Sequence, residues 1–100
     1  MSLRHLNALF RPRSVAVVGA SNRPKSIGSV VMRNLQREEF SGPILPVNPK
    51  YRAVAGILAY SAVTELPVSP DLAIICTPPQ TVPEYMEQLC HKGVMNVLIM

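Results

Sequence analysis

Three short segments of this chain combine small, hydroxyl-bearing and cationic residues in a way that suits a phosphorylated ligand. Gly19-Ala20-Ser21-Asn22 follows an apolar run, Lys25 and Ser26 end the polar stretch after it, and Gly28 stands at the start of a helical pattern. Free backbone N–H groups and the dipole at a helix start favour a phosphate, and a serine hydroxyl can donate to its oxygens. Asn48-Pro49-Lys50 ends a second apolar run, and Thr77-Pro78-Pro79 ends another. Open parallel sheets bind ligands beyond the carboxyl ends of their strands, so these segments form one candidate binding set. Alone, the glycine segment is also compatible with a plain strand-to-helix turn. Ser21 stands where the fingerprint G-x-G-x-x-G has its second glycine, and Gly28 is displaced far along. Gly28 is expected where helix, strand and ligand meet, so a larger side chain there should obstruct binding more than it unfolds the domain.

The end of the second apolar run bears on the ligand. Sites for NAD place a carboxylate there to accept from ribose hydroxyls. Between Ser41 and Ala53 this chain has no acid, and Lys50 occupies the region instead. A ribose phosphate fits such a lysine, and both NADP and coenzyme A carry one. An NADP-binding reductase domain, a coenzyme A domain and a ligand-free interaction module that keeps only the fold therefore stay open on the residues alone. No catalytic constellation or metal-ligand cluster is expected. His91 falls in the last turn of a helical segment, where a partly positive imidazole suits the dipole, and His5 lies near the start of the chain. Cys76 has no basic neighbour in sequence to lower its pKa, and Asp71 is expected to cap a turn.

Alternating apolar segments must position these loops. Ser2 to Pro12 reads as a short amphipathic helical flap with Leu3, Leu6, Leu9 and Phe10 on one face. Ser14 to Val18 reads as a strand buried on both faces. A helix follows from Ile27 to the Glu38-Glu39-Phe40 boundary, with Ile27, Val30, Val31 and Leu35 inward. Ile44 to Val47 is a second strand, and Pro46, which cannot donate to a ladder, requires a short or irregular neighbour on that side. Gly56 to Tyr60 supplies it, and Ser61 is expected to cap a turn through Leu66. Leu72 to Thr77 is another apolar strand. Thr81-Val82-Pro83-Glu84 matches a capping box, and the helix it opens should bury Val82, Met86, Leu89 and Cys90 and close at Lys92-Gly93. Val94 to Met100 is a last strand. This order predicts an α/β, Rossmann-like open parallel sheet, cut short after its fifth strand.

Composition bounds the rest. One hundred residues make one domain, with 48% hydrophobic and 16% charged residues, so a packed core is expected rather than disorder. No apolar stretch approaches the roughly 18 residues of a membrane-spanning helix. Five aromatics without tryptophan weaken a nucleic-acid reading. Two cysteines within apolar segments fit buried thiols and a reducing cytoplasm. Residues 1–50 hold eight Lys/Arg against Glu38 and Glu39, whereas residues 51–100 hold two against four acids. A basic half facing an anionic ligand is consistent with the loops above.

Gly19-Ala20-Ser21, Gly28, Pro46-Val47-Asn48-Pro49, Gly56, Tyr60-Ser61, Leu66-Pro67, Asp71-Leu72-Ala73 and Pro78 together resemble the N-terminal CoA-binding domain of NDP-forming acyl-CoA synthetases. The succinyl-CoA synthetase α subunit shares this domain, and a bacterial branch joins it to a protein lysine acetyltransferase, which Ser2 to Pro12 resembles. The resemblance implies that Gly19 to Asn22 hold the phosphates of coenzyme A, with Lys50 and Thr77 to Pro79 completing the site. It also implies further ligase domains as partners, a phosphohistidine domain and a nucleotide-grasp domain that binds ATP, and hence that the 100 residues are the N-terminal piece of a longer polypeptide, with homo-oligomers open.

Overall fold

A computed structural model of the chain describes residues 11–100. Val15–Val18 forms β1, and every one of its side chains is buried. That follows from its two faces: Val15 and Val17 pack into one apolar cluster, Ala16 and Val18 into another. A strand with helices on both sides has no polar face, hence the continuous apolar run. Ile27–Arg37 forms α1, Ile44–Val47 β2, Ala53–Val54 β3, Ile57–Leu58 β4, Leu72–Ile75 β5, Val82–Lys92 α2 and Val97–Ile99 β6. Short 3-10 turns lie at Val63–Glu65 and Pro79–Thr81. The main sheet is parallel in the order β2-β1-β5-β6, and β3 and β4 make a separate antiparallel hairpin. The Rossmann-like arrangement expected from the sequence is present. The helix expected over the first twelve residues falls almost wholly outside the described residues.

Pro46 sits where the sheet tolerates it. Its carbonyl accepts from Tyr60 N–H at 2.8 Å, and Asn48 N–H donates to Tyr60 O at 2.9 Å. Its missing N–H therefore faces a single bridge, Val47 to Tyr60, rather than a full strand. The short neighbour expected over Gly56 to Tyr60 divides into β4 and this bridge, and β3 is an element the sequence reading lacked.

Both helices are rotated relative to expectation. On α1 the inward residues are Gly28, Val31 and Met32 with Leu35 behind them, while Ile27 and Val30 are exposed. The cause is Gly28, which must face the backbone of the loop after β1. At about 100° per residue that choice turns Ile27 outward. On α2 Leu89 is fully buried, with Val82 and Tyr85 packed beside it, and Met86 and Cys90 point to solvent. Burying a residue the size of Met32 or Leu89 contributes about 1.5–3 kcal/mol, so Met32, which is not among the expected inward residues, and Leu89, which is, anchor the helices.

Two capping expectations fail. Thr81 makes no side-chain cap to α2, because the preceding 3-10 turn runs straight into the helix and the Thr81 hydroxyl instead donates to Pro78 O at 2.6 Å. Ser61 donates through both its N–H and its hydroxyl to the Glu65 carboxylate rather than capping the turn. Asp71 also reaches further than a local turn, since its carboxylate accepts from Arg13 N–H at 2.8 Å. Gly93 closes α2 in the left-handed region, φ 94°.

Candidate functional site

The three loops meet at the carboxyl ends of β1, β2 and β5. Gly19 N–H donates to Val47 O at 2.9 Å and Cys76 N–H to Val18 O at 2.8 Å, which joins the strand ends directly. A Cβ on Gly19 would lie 2.8 Å from Thr77 Cγ2, and its φ of 88° excludes most other residues. Asn48 Nδ2 donates to Ala20 O at 2.9 Å, while Asn48 Oδ1 accepts from Lys50 N–H at 2.9 Å. A single asparagine thereby ties the loop after β1 to the loop after β2. Pro49 and Lys50 are exposed beyond it, as are Pro78 and Pro79 beyond Thr77. The Thr77 hydroxyl lies 2.6 Å from that of Thr81.

Gly28 is held against the same loop. A Cβ there would lie 2.0 Å from Gly19 O, a contact no side chain can take. The obstruction falls on the chain's own backbone, so enlarging Gly28 displaces helix and loop together instead of leaving the fold intact and blocking a ligand. Ser26 caps α1: its hydroxyl oxygen accepts from Ser29 N–H at 3.2 Å. Lys25 is exposed with φ 68°, the third residue of a turn closed by Ser26 N–H on Arg23 O. Ser21 Oγ accepts from Arg23 N–H at 2.9 Å and lies 3.4 Å from the Tyr51 hydroxyl, a contact in which either oxygen can donate. Asn22 is committed elsewhere: its carboxamide bonds to Ala53 O and Ala55 N–H of the hairpin.

Next to the Lys50 loop runs an open groove of about 490 Å³. Lys50, Tyr51, Arg52, Tyr60, Ser61 and Glu65 are among its lining residues. The sequence reading named Lys50 alone among these. The signal that marks Tyr51 and Arg52 is the cation-aromatic-cation run Lys50-Tyr51-Arg52 soon after a strand. Among the described residues no carboxylate lies within ion-pair distance of Lys50 or Arg52, and the Glu65 carboxylate in the same groove accepts from Ser61. Two tyrosine rings beside two cations suit a flat heteroaromatic ring carrying a phosphate.

Burial pushes the Cys76 thiol up to about 11, which leaves it protonated near neutral pH and a poor nucleophile. Among the described residues no group of three His, Cys, Asp or Glu side chains could hold a metal, and no helix is long and apolar enough to cross a membrane.

Comparison with known proteins identifies the domain. A family model described as a CoA binding domain matches residues 13–100. A trans-feruloyl-CoA synthase from an unknown prokaryotic organism is 41% identical over 98% of this chain, which spans 14% of that protein. The α subunit of an ADP-forming acetate–CoA ligase II from Pyrococcus furiosus is 43% identical over 94% of the chain, which spans 20% of it. In solved structures, a dinucleotide-forming acetyl-coenzyme A synthetase 1 from Ca. Korarchaeum cryptofilum superimposes with a TM-score of 0.88 at 36% identity, covering 92% of this chain and 20% of that one. With a family model matching residues 13–100 and a fold that superimposes on that synthetase, the chain belongs to the CoA-binding domain family.

Proposed function

We propose that this chain binds coenzyme A or an acyl-coenzyme A as a ligand or substrate, within an ADP-forming acyl-CoA synthetase whose remaining domains perform the acyl and phosphoryl chemistry in the cytoplasm. The observation that carries the reading is the junction of the Gly19–Ser21 loop, the Lys50 loop and the Thr77 loop beside a tyrosine-lined groove whose two cations, Lys50 and Arg52, form no ion pair with a carboxylate among the described residues. In this reading the Ser21 hydroxyl and the loop backbone beyond Gly19, whose own N–H is spent on Val47 O, hold the diphosphate. Lys25 adds charge beside it. Lys50 meets the ribose phosphate, the tyrosines flank the adenine, and Thr77, Pro78 and Pro79 border the pantetheine arm. Ser26, Gly28, Asn48 and Pro49 shape the loops rather than touch the ligand. Relatives named as a CoA synthase and an ADP-forming acetate–CoA ligase favour the ligase arrangement over the acetyltransferase one, and coenzyme A over NADP.

A thermal-shift comparison of coenzyme A, NADP and NAD tests the reading. A ligand at 100 times its Kd adds about 2.7 kcal/mol of stability. For a domain of this size that raises Tm by roughly 10 °C or more. Coenzyme A should give this shift and NAD none. A larger shift with NADP than with coenzyme A would replace the proposal with the reductase reading.

A further inference from the structure

We infer that Asn22 is a positioning residue, a latch that couples the phosphate-holding loop after β1 to the groove wall carried by the β3–β4 hairpin. The inference rests on the coenzyme A reading above. Asn22 Nδ2 donates to Ala53 O at 2.8 Å, and Asn22 Oδ1 accepts from Ala55 N–H at 3.0 Å. One carboxamide thus pairs with both polarities of the hairpin backbone, as a neighbouring strand would, and the reversed amide orientation would set like against like.

The hairpin depends on such anchors. Each of its strands is two residues long, a length that is not stable by itself. Its turn, Ala55-Gly56, has positive φ at both positions, 52° and 81°, and an alanine in that region persists only when its surroundings hold it. Three contacts do so: the buried Val54 side chain, Gln36 Nε2 donating to Ala55 O at 3.0 Å, and Asn22. Arg52 and Ala59, joined by the Ala59 N–H to Arg52 O bond of 2.8 Å, continue from the hairpin into the groove lining with Leu58. Tyr51 lines the groove too, and its hydroxyl is 3.4 Å from Ser21 Oγ. Loop and groove wall therefore move as one unit while Asn22 is in place. Occupancy of either half by a ligand that spans both then orders the other.

Backbone amide exchange and coenzyme A titration of the wild-type chain, Asn22→Ala and Gln36→Ala test this, with circular dichroism to check that each variant is folded. Without ligand, Ala55 N–H should exchange about tenfold faster in Asn22→Ala than in wild type. Coenzyme A should slow exchange at Ala55 and Gly56 in wild type and leave it unchanged in saturated Asn22→Ala, whose affinity should fall about tenfold. Gln36→Ala, altered on α1 away from the loops, should weaken coenzyme A twofold to threefold by loosening the same hairpin. Equal protection of the hairpin tip by coenzyme A in wild type and Asn22→Ala, or none in either, would overturn the latch. So would a loss of affinity in Asn22→Ala with Ala55 exchange at the wild-type rate, which would make Asn22 a direct ligand contact. If the wild-type chain does not bind coenzyme A, the coenzyme reading fails, while the ligand-free exchange rate at Ala55 still decides whether Asn22 holds the hairpin.

Discussion

Lys50 combines a fixed backbone with an uncommitted charge. Its N–H is pinned to Asn48 Oδ1, so the loop is placed, while no carboxylate among the described residues pairs with its ammonium. A charge-assisted hydrogen bond contributes about 1.5–3 kcal/mol, of which an exposed, flexible lysine should retain only about 1 kcal/mol. That corresponds to roughly fivefold in affinity. Lys50→Ala should therefore weaken coenzyme A about fivefold and leave dephospho-coenzyme A nearly unchanged, and the wild-type preference between the two should shrink as salt rises. Calorimetric titration of both ligands against both proteins reads this directly. Equal losses for the two would take Lys50 off the ribose phosphate.

At the scale of elements, the contact between α1 and the loop after β1 sets the geometry of the site. Gly28 is the point of closest approach, with Gly19 O where its Cβ would be. Even Gly28→Ala must push the helix and the loop apart, an overpacking that costs about 1–3 kcal/mol. The variant should lose stability in urea and affinity for coenzyme A together. Ser29→Ala, one position along the same helix, provides the comparison and should leave both nearly unchanged. A Gly28→Ala protein with wild-type stability and affinity would mean that the helix start is not packed on the phosphate loop.

For the molecule as a whole, the exposed side of the sheet is β6. Leu98, Ile99 and Met100 are 44%, 58% and 61% exposed, and β6 is an edge strand of the main sheet. An apolar edge with unpaired backbone groups is a template for association. The isolated 100-residue chain should therefore self-associate in a concentration-dependent way in sedimentation velocity, and Leu98→Lys should reduce it. A monomer that withstands concentration would show that this edge is protected in solution.

Local pattern was enough to determine the alternation of strands and helices, the bounds of β2, the start of α1 and the three loops that converge. Those features depend on residues adjacent in the chain: β-branched runs, glycine after a strand, proline in a turn. Tertiary structure decided what depends on distant partners. The rotation of α1 follows from Gly28 meeting Gly19, not from the helical period that made Ile27 and Val30 look equally inward. Thr81 lost its capping role because a 3-10 turn, closed by Thr81 N–H on Pro78 O, precedes the helix. Asn22 reads in sequence as part of a phosphate loop. Only the fold brings Ala53 and Ala55, more than thirty residues away, to its two amide atoms, because a two-residue hairpin has no signal strong enough to stand out until something holds it.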